Sequence, residues 1–161
     1  MNENISNEEA MQIAIEESKV NSLNNYQSGG PFGAVVVKEG KIISIAHNTV
    51  VETKDPTAHA EVNAIRLASK RLNTHDLTGC ILYVNAEPCP MCLSAIIWSN
   101  IKEVYFANTK KAAAEIGFRD DMIYEYLKKG ENGIINMHHM KSEEAEKVFE
   151  DFKNTEGKIM Y

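Results

Sequence analysis

The sequence lacks a long apolar run and an excess of positive charge. Its longest apolar stretch, Leu93 to Trp98, is interrupted by Ser94 and is much shorter than the roughly 20 residues of a membrane-spanning helix. Its 17 basic residues are outnumbered by 23 acidic ones, which gives a net charge of −6. A chain of this charge has no overall positive field to hold a polyanion. We therefore expect neither a membrane protein nor a nucleic-acid-binding protein.

Cysteine is scarce and odd in number. The chain has three, Cys80, Cys89 and Cys92, and residues 1–10 show neither the basic nor the apolar region of a secretion signal. We therefore expect a cytoplasmic protein whose thiols stay reduced. In that setting Cys89 and Cys92 are better candidates for metal ligands or catalytic groups than for a disulfide. Cys80 begins an apolar stretch and is expected to be a buried, inert thiol.

The composition is that of an ordinary globular chain. Of the 161 residues, 43% are hydrophobic and 25% are charged, which excludes disordered and collagen-like classes. This length corresponds to one domain, since domains most often hold roughly 100–150 residues. We therefore expect a single domain over residues 1–161 with one hydrophobic core.

The hydrophobic pattern predicts a chain of the α/β class. It predicts helices over 7–24, 59–71, 90–99, 122–127 and 142–153, and strands over 33–37, 42–46, 81–84, 103–106 and 134–138. The first helix begins with a capping box of Ser6 and Glu9, and Ser142 caps the last helix. A short Lys-Glu-Gly-Lys connection makes the first two strands a hairpin, and the later strand-helix-strand order favours a parallel pair. We expect a mixed sheet of about five strands flanked by helices.

Two short motifs concentrate the side chains that can carry chemistry. The first is His59-Ala60-Glu61 and the second is Pro88-Cys89-Pro90-Met91-Cys92. One histidine and two cysteines make three ligands, and three protein ligands leave the fourth tetrahedral position of a zinc ion open for water. That arrangement distinguishes a catalytic zinc site from a closed structural one. The sequence therefore predicts a zinc site made of His59, Cys89 and Cys92.

The positions of these residues on helices support the same prediction. Pro90 suits the first turn of a helix, so Cys89 and Cys92 lie at a helix N-terminus, where the dipole and free N–H groups favour thiolates. Glu61 is two residues from His59 and can lie beside the water instead of binding the metal. We expect Glu61 to transfer protons.

The order of the two motifs resembles the signature of the zinc nucleobase deaminases, in which the Glu of His-x-Glu is the acid/base. Residues 30–37, Asn48 and residues 55–66 extend the resemblance to the cytidine-deaminase-like superfamily. This resemblance implies a three-layer α/β/α fold and one zinc ion per chain.

Within that superfamily the chain resembles the small bacterial guanine deaminases. The resemblance rests on residues 116–121, followed by Ile123 and Tyr124, and on a chain that stops at Tyr161. It implies hydrolytic deamination of guanine to xanthine and ammonia in purine metabolism. Two positions depart from the pattern, since Ala86 stands where cysteine is frequent and Arg119 where an acidic residue is usual.

The resemblance also implies a set of residues that bind the base, namely Phe32, Asn48, Ala60, Asp120 and Tyr161. Guanine presents acceptors on one edge and N–H donors on another, so its pocket needs an amide, an acidic acceptor and an apolar face. On the residues alone, Asn48 also fits a turn, Asp120 a helix cap, Phe32 the core and Tyr161 a chain end. The resemblance further implies a homodimer in which a segment of about 142–161 crosses to the partner, where the terminal tyrosine closes the pocket.

Other activities stay open at this stage. The same zinc site would accept guanosine, cytosine or aminotriazines if their edges fit the pocket. A tRNA adenosine deaminase would share every zinc residue, but it would need a basic surface, which a net charge of −6 disfavours. A zinc domain that serves only as an assembly module would not need Glu61.

Overall fold

The computed structural model describes residues 4–22, 27–130 and 133–161. The chain forms two compact units, Met1–Asp121 and Met122–Tyr161. The helices are α1 (Asn7–Ser18), α2 (Val50–Thr53), α3 (Ala60–Leu72), α4 (Pro90–Trp98), α5 (Lys110–Glu115), α6 (Asp121–Lys129) and α7 (Glu143–Asn154), and the strands are β1 (Gly33–Lys38), β2 (Lys41–His47), β3 (Cys80–Ala86) and β4 (Glu103–Asn108). Within the described ranges, every helix is too short or too polar to cross a membrane.

Among the described residues, four strands form one mixed sheet in the order β2-β1-β3-β4. Strand β1 pairs antiparallel with β2 and with β3, and β3 pairs parallel with β4. The hairpin between β1 and β2 turns at Glu39 and Gly40, both of which have positive φ angles as a two-residue primed turn requires. The crossover between β3 and β4 contains α4. Both the hairpin and the parallel pair confirm the sequence prediction.

Alternation along β1 places a helical layer on each face of the sheet. Ala34 and Val36 join a buried cluster with alanines of α3 and with Ile96 of α4. Val35 and Val37 join a second cluster with alanines of α1. Because successive side chains of a strand point to opposite faces, α1 covers one face while α3 and α4 cover the other. The predicted three-layer α/β/α architecture of the first unit is confirmed.

The predicted fifth strand is wrong. Residues 134–138 form no strand, and Ile134, Ile135 and Met137 are more than half exposed. The stretch is rich in residues that favour strands, but a strand is stable only when a neighbouring strand pairs with its backbone groups. The described part of the second unit contains two helices, α6 and α7, and no strand that could pair with it.

The first helix is shorter than predicted. Its capping box is present, with Ser6 and Glu9 exchanging hydrogen bonds. The α-helix ends at Ser18, and Lys19–Asn21 continue as a single 3-10 turn. The end predicted near residue 24 lies outside the described residues. The last helix begins at Glu143 and is capped by Ser142, as predicted.

Close packing of α1 on β1 depends on the absence of a side chain at Gly33. A Cβ atom at this position would lie 2.2 Å from the Ala14 carbonyl oxygen and 2.7 Å from the Ser18 nitrogen. Both are backbone atoms of α1, so neither can move without moving the helix.

We therefore expect Gly33→Ala to lower the free energy of unfolding by about 3 kcal/mol, because overpacking against backbone cannot relax. Gly79→Ala is the matched control, since Gly79 has open space around it but a φ of +82°. That substitution should cost only about 1 kcal/mol from backbone strain. Urea denaturation of both variants measures the difference, and equal costs would contradict the packing explanation.

Candidate metal centre

One histidine and two cysteines meet at the N-terminal ends of α3 and α4. The Nδ1 atom of His59 lies 3.6 Å from the sulfur of Cys89 and 3.5 Å from the sulfur of Cys92. His59 is the N-cap residue of α3, and Cys89 is the N-cap residue of α4. Because both helices cover the same face of the sheet, their first turns bring residues far apart in sequence into one cluster.

The start of α4 is built as the sequence predicts. Pro90 occupies the first turn, where its missing N–H is not needed. The sulfur of Cys89 accepts a hydrogen bond from the backbone N–H of Cys92 at 3.5 Å. The helix N-terminus therefore stabilises a negative charge on Cys89.

The two thiols differ in acidity. Hydrogen bonds from Cys92 and, to a smaller extent, from His59 lower the pKa of Cys89 to about 4. The shared hydrogen bond and burial raise the pKa of Cys92. These contacts favour a thiolate at Cys89, and a cation in the cluster would favour loss of the proton from Cys92 as well.

The spacing of the donor atoms fits zinc. A tetrahedral ion bound at about 2.3 Å by sulfur and about 2.05 Å by nitrogen needs these ligands about 3.6 Å apart. The two nitrogen–sulfur distances, 3.5 Å and 3.6 Å, agree with this requirement. In the described ranges, His59, Cys89 and Cys92 are the group of donors close enough together to hold a metal ion.

Glu61 lies beside this cluster in the first turn of α3. It is only 5% exposed, and its carboxylate accepts a hydrogen bond from the Cys92 thiol at 2.9 Å. Burial raises the pKa of this carboxyl. A buried carboxyl group with a raised pKa holds a proton more readily than an exposed one, which suits a group that takes up and passes on protons.

A cavity of about 420 Å³ adjoins the cluster, with His59 in its wall. Phe32 and Asn48 also line it, as does Phe118 from the loop after α5. The rings of Phe32 and Phe118 meet edge to face with their centroids 5.0 Å apart. The cavity therefore combines an apolar wall with a polar side chain next to the metal-binding imidazole.

The five residues that the resemblance assigns to base binding have different surroundings. Phe32 and Asn48 line the cavity, and the Asn48 carboxamide oxygen also accepts a hydrogen bond from the Val50 backbone, so it is a turn residue too. Ala60 is fully buried in the core. Asp120 is half-buried but does not appear in the cavity wall, and partial burial raises its pKa. Tyr161 belongs to the second unit and is 81% exposed.

Three residues that shape this region carry no signal in the sequence: Phe118, Asn21 and Glu87. Phe118 lies within the stretch 116–121, but nothing in its spacing marks it as a wall residue. Asn21 follows the first helix and lines the cavity. Glu87 precedes the cysteine motif, and its carboxylate accepts a hydrogen bond from the Lys110 backbone N–H at the start of α5. These roles depend on contacts between distant parts of the chain, which no local pattern predicts.

A family of known proteins shares this arrangement. Residues 4–108 match the family model of the cytidine and deoxycytidylate deaminase zinc-binding region. The chain belongs to this family. Its metal centre is therefore a zinc site, with His59, Cys89 and Cys92 as the residues placed to hold the ion.

Relatives with named activities include a guanine deaminase and a tRNA-specific adenosine deaminase. The guanine deaminase of Bacillus subtilis strain 168 is 46% identical over 134 residues, which cover 83% of this chain and 86% of that protein. The crystal structure of guanine deaminase from Bacillus subtilis superposes with a TM-score of 0.91 at 40% identity, over 98% of this chain and 99% of that one. A tRNA-specific adenosine deaminase of Aquifex aeolicus is 50% identical over 102 residues, which cover 63% of this chain and 65% of that protein.

The zinc assignment predicts a clear difference among the three cysteines. Cys89→Ser and Cys92→Ser should each lower zinc affinity by more than the roughly 10- to 100-fold that loss of an outer partner costs, because each removes a ligand. Cys80→Ser is the matched control, since Cys80 is a buried free thiol outside the donor cluster. Zinc content after dialysis against a chelator measures the effect. Equal zinc retention by all three variants would contradict the assignment.

Proposed function

We propose that this protein is a zinc-dependent guanine deaminase that hydrolyses guanine to xanthine and ammonia in purine metabolism. The observation that carries the choice of substrate is the extent of the structural match. Guanine deaminase matches 98% of this chain in structure and 83% in sequence, whereas the tRNA-specific relative matches 63% in sequence. The net charge of −6 also disfavours an RNA substrate.

The residues of the metal centre would hold an ion beside the reactive water. His59, Cys89 and Cys92 would hold the ion and leave one tetrahedral position for a small ligand. The chemistry that bound zinc supplies is a water molecule whose pKa falls from its bulk value toward ~7. The side chains around the metal centre carry out the remaining steps, which are proton transfer and binding of the base.

Glu61 moves the protons in this mechanism. Its buried carboxylate takes a proton from the attacking water and gives it to N3 of guanine while the oxygen bonds to C2. The carboxylate then carries the hydroxyl proton to the 2-amino nitrogen, the C2–N bond breaks, and ammonia leaves as the C2 carbonyl of xanthine forms. Burial supports this role, because it raises the pKa of Glu61 and keeps bulk water away.

The base would bind in the adjoining cavity. Phe32, joined by Phe118, offers an apolar face, and Asn48 offers a carboxamide. Asp120 is the proposed acceptor for the N–H groups of guanine, and Ala60 and Tyr161 complete the set of base contacts. A base lacking these N–H groups would leave the carboxylate without a partner, which is a strong basis for discrimination.

We also propose a cytoplasmic homodimer in which the segment of about 142–161 crosses to the partner and Tyr161 closes its pocket, each chain being a single deaminase domain. The exposed apolar side chains of α7 support a partner surface, since Val148, Phe149 and Phe152 are all at least half exposed. Two thiol ligands in the metal centre support a reducing compartment.

A substrate panel tests the proposed activity. We expect zinc-loaded protein to release ammonia from guanine with the highest kcat/KM among guanine, guanosine, cytosine, cytidine, adenine, ammeline and a tRNA anticodon stem-loop. The reason is that guanine combines the edges that Asn48 and Asp120 would pair with, and that it lacks the ribose that guanosine adds to the same edges. Turnover of another member in place of guanine would leave the zinc chemistry intact and overturn the substrate.

The role of Glu61 has its own test. Glu61→Gln keeps the size of the side chain but cannot accept a proton, so kcat should fall by roughly 100- to 10,000-fold. Zinc content should stay at one ion per chain, because Glu61 is outside the donor set. Glu52→Gln is the matched control, because Glu52 is an exposed carboxylate paired with Ser28. Full activity in zinc-loaded Glu61→Gln would contradict the mechanism.

A further inference from the structure

One wall of the cavity is a turn outside the helices and strands. This turn, residues 29–32, carries Phe32 and leads into β1 at Gly33. The Phe32 N–H donates to the Gly30 carbonyl at 2.9 Å, and its carbonyl accepts from the Asn48 N–H at 3.1 Å. The position of the Phe32 ring depends on the position of its backbone. The side-chain hydrogen bonds that hold the backbone of this turn therefore determine where the ring lies in the cavity wall.

Asn85 of β3 holds the turn on both sides of Phe32. Its carboxamide oxygen accepts from the Gly33 N–H at 3.0 Å, and its carboxamide nitrogen donates to the Pro31 carbonyl at 2.9 Å. The side chain is only 8% exposed. The backbone pairing of β1 with β3 ends at Ala34 and Val84, and the Asn85 side chain continues it by one step. Only a carboxamide offers both a donor and an acceptor in this geometry.

A second carboxamide holds the far end of the same turn. The Asn21 nitrogen donates to the Gly30 carbonyl at 3.0 Å and to the Asn48 carbonyl at 2.8 Å. Asn21 is 4% exposed, and its carboxamide oxygen is buried without a hydrogen-bond partner among the described residues. The two donor bonds therefore determine its orientation, and they connect the turn to the loop that carries Asn48.

Asn85 also connects the turn to the metal centre. It lies on the strand whose end leads through Glu87 and Pro88 to Cys89. Because β3 is buried and paired on both sides, its end is a rigid reference point. A side chain on this strand can fix Phe32 relative to the zinc ligands, whereas a bond to another loop could not.

We propose that Asn85 is a positioning residue for base binding: its carboxamide sets the place of the Phe32 ring relative to the zinc centre, and Asn21 holds the other end of the turn. The inference deepens the proposed function, since it treats the cavity as the base pocket. A purely structural Asn85 would affect folding and leave the binding of substrate by the folded protein unchanged.

Steady-state kinetics with guanine separate these two roles. Asn85→Ala removes both bonds, so KM should rise about tenfold while kcat stays within about threefold, because the zinc ligands are not touched. Asn85→Asp keeps the acceptor for Gly33 but turns an oxygen toward the Pro31 carbonyl, and it should raise KM similarly. If both variants keep the wild-type KM, the proposal is overturned.

Ser44→Ala is the matched control for loss of a buried hydrogen bond. The Ser44 hydroxyl is fully buried and donates to the Ala64 carbonyl at 2.8 Å, away from the turn. We expect this variant to lose stability but to keep both the KM and the kcat of the wild type. A rise in KM equal to that of Asn85→Ala would show that loss of any buried hydrogen bond raises KM, and it would overturn the proposal.

A double-mutant cycle tests whether Asn85 acts through Phe32. In a Phe32→Ala background the ring is absent, so adding Asn85→Ala should raise KM by less than about twofold. A full tenfold rise in that background would overturn the proposal.

Hydrogen exchange of the peptide that contains Gly33 gives a readout independent of substrate. Its amide protection should fall in both Asn85 variants and stay unchanged in Ser44→Ala. Inactivity of the zinc-loaded wild type on guanine would refute the proposed function, and exchange would then decide whether Asn85 holds the turn. If Asn85→Ala does not fold, Asn85→Asp provides the same measurements, and unchanged protection in it would overturn the proposal.

Discussion

The meeting of one imidazole nitrogen with two cysteine sulfurs at 3.5–3.6 Å is the constraint on which the first unit depends. Three donors at this spacing require the first turns of α3 and α4 to lie side by side on one face of the sheet. Alanines on the buried side of α3 allow it to pack closely against the strands, and three of them are completely buried: Ala60, Ala64 and Ala68. The proline at the start of α4 then directs the chain so that both cysteines face the histidine. Sheet, helices and loops are thus arranged around a set of atoms that has room for one ion.

The sequence predicts features that depend on neighbouring residues better than features that depend on distant ones. The Cys-x-x-Cys pair lies within one helical turn, and the capping box of Ser6 and Glu9 spans three residues, so both are visible in the sequence and present in the structure. The prediction of a fifth strand over 134–138 is wrong, because a strand requires a pairing strand elsewhere and the described residues pair none with this stretch. The sequence pattern does not predict helix α5, because its short Lys-Lys-Ala-Ala-Ala-Glu sequence has no apolar face at helical spacing. The zinc ligands were readable from sequence alone, whereas the wall residue Phe118 reaches the cavity from a loop.

The residues that carry the chemistry occupy a shorter part of the chain than the residues that could select the substrate. The zinc donors and Glu61 all lie within residues 59–92, inside the region that the deaminase family model matches. Relatives named as a guanine deaminase and as a tRNA-specific adenosine deaminase both align with this chain. In the proposed function, selectivity comes from the walls of the cavity and from the chain beyond β4. In this protein the walls are defined by side-chain amides and two phenylalanine rings, which are easier to alter than the donor set without losing the metal.

Helix α1 is far in sequence from the metal-binding motifs, but its packing connects it to the strands and the turn next to them. The backbone of α1 touches Gly33, the Asn7 side chain accepts a hydrogen bond from Tyr83 of β3, and Asn21 just after the helix reaches the cavity turn. A change of spacing applied at α1 would thus act on β1 and β3 and, through Asn21, on the cavity turn. An affinity tag, a fusion partner or a circular permutation introduced close to this helix would act on the same contacts, so the side of the sheet opposite the zinc centre is not a neutral attachment point.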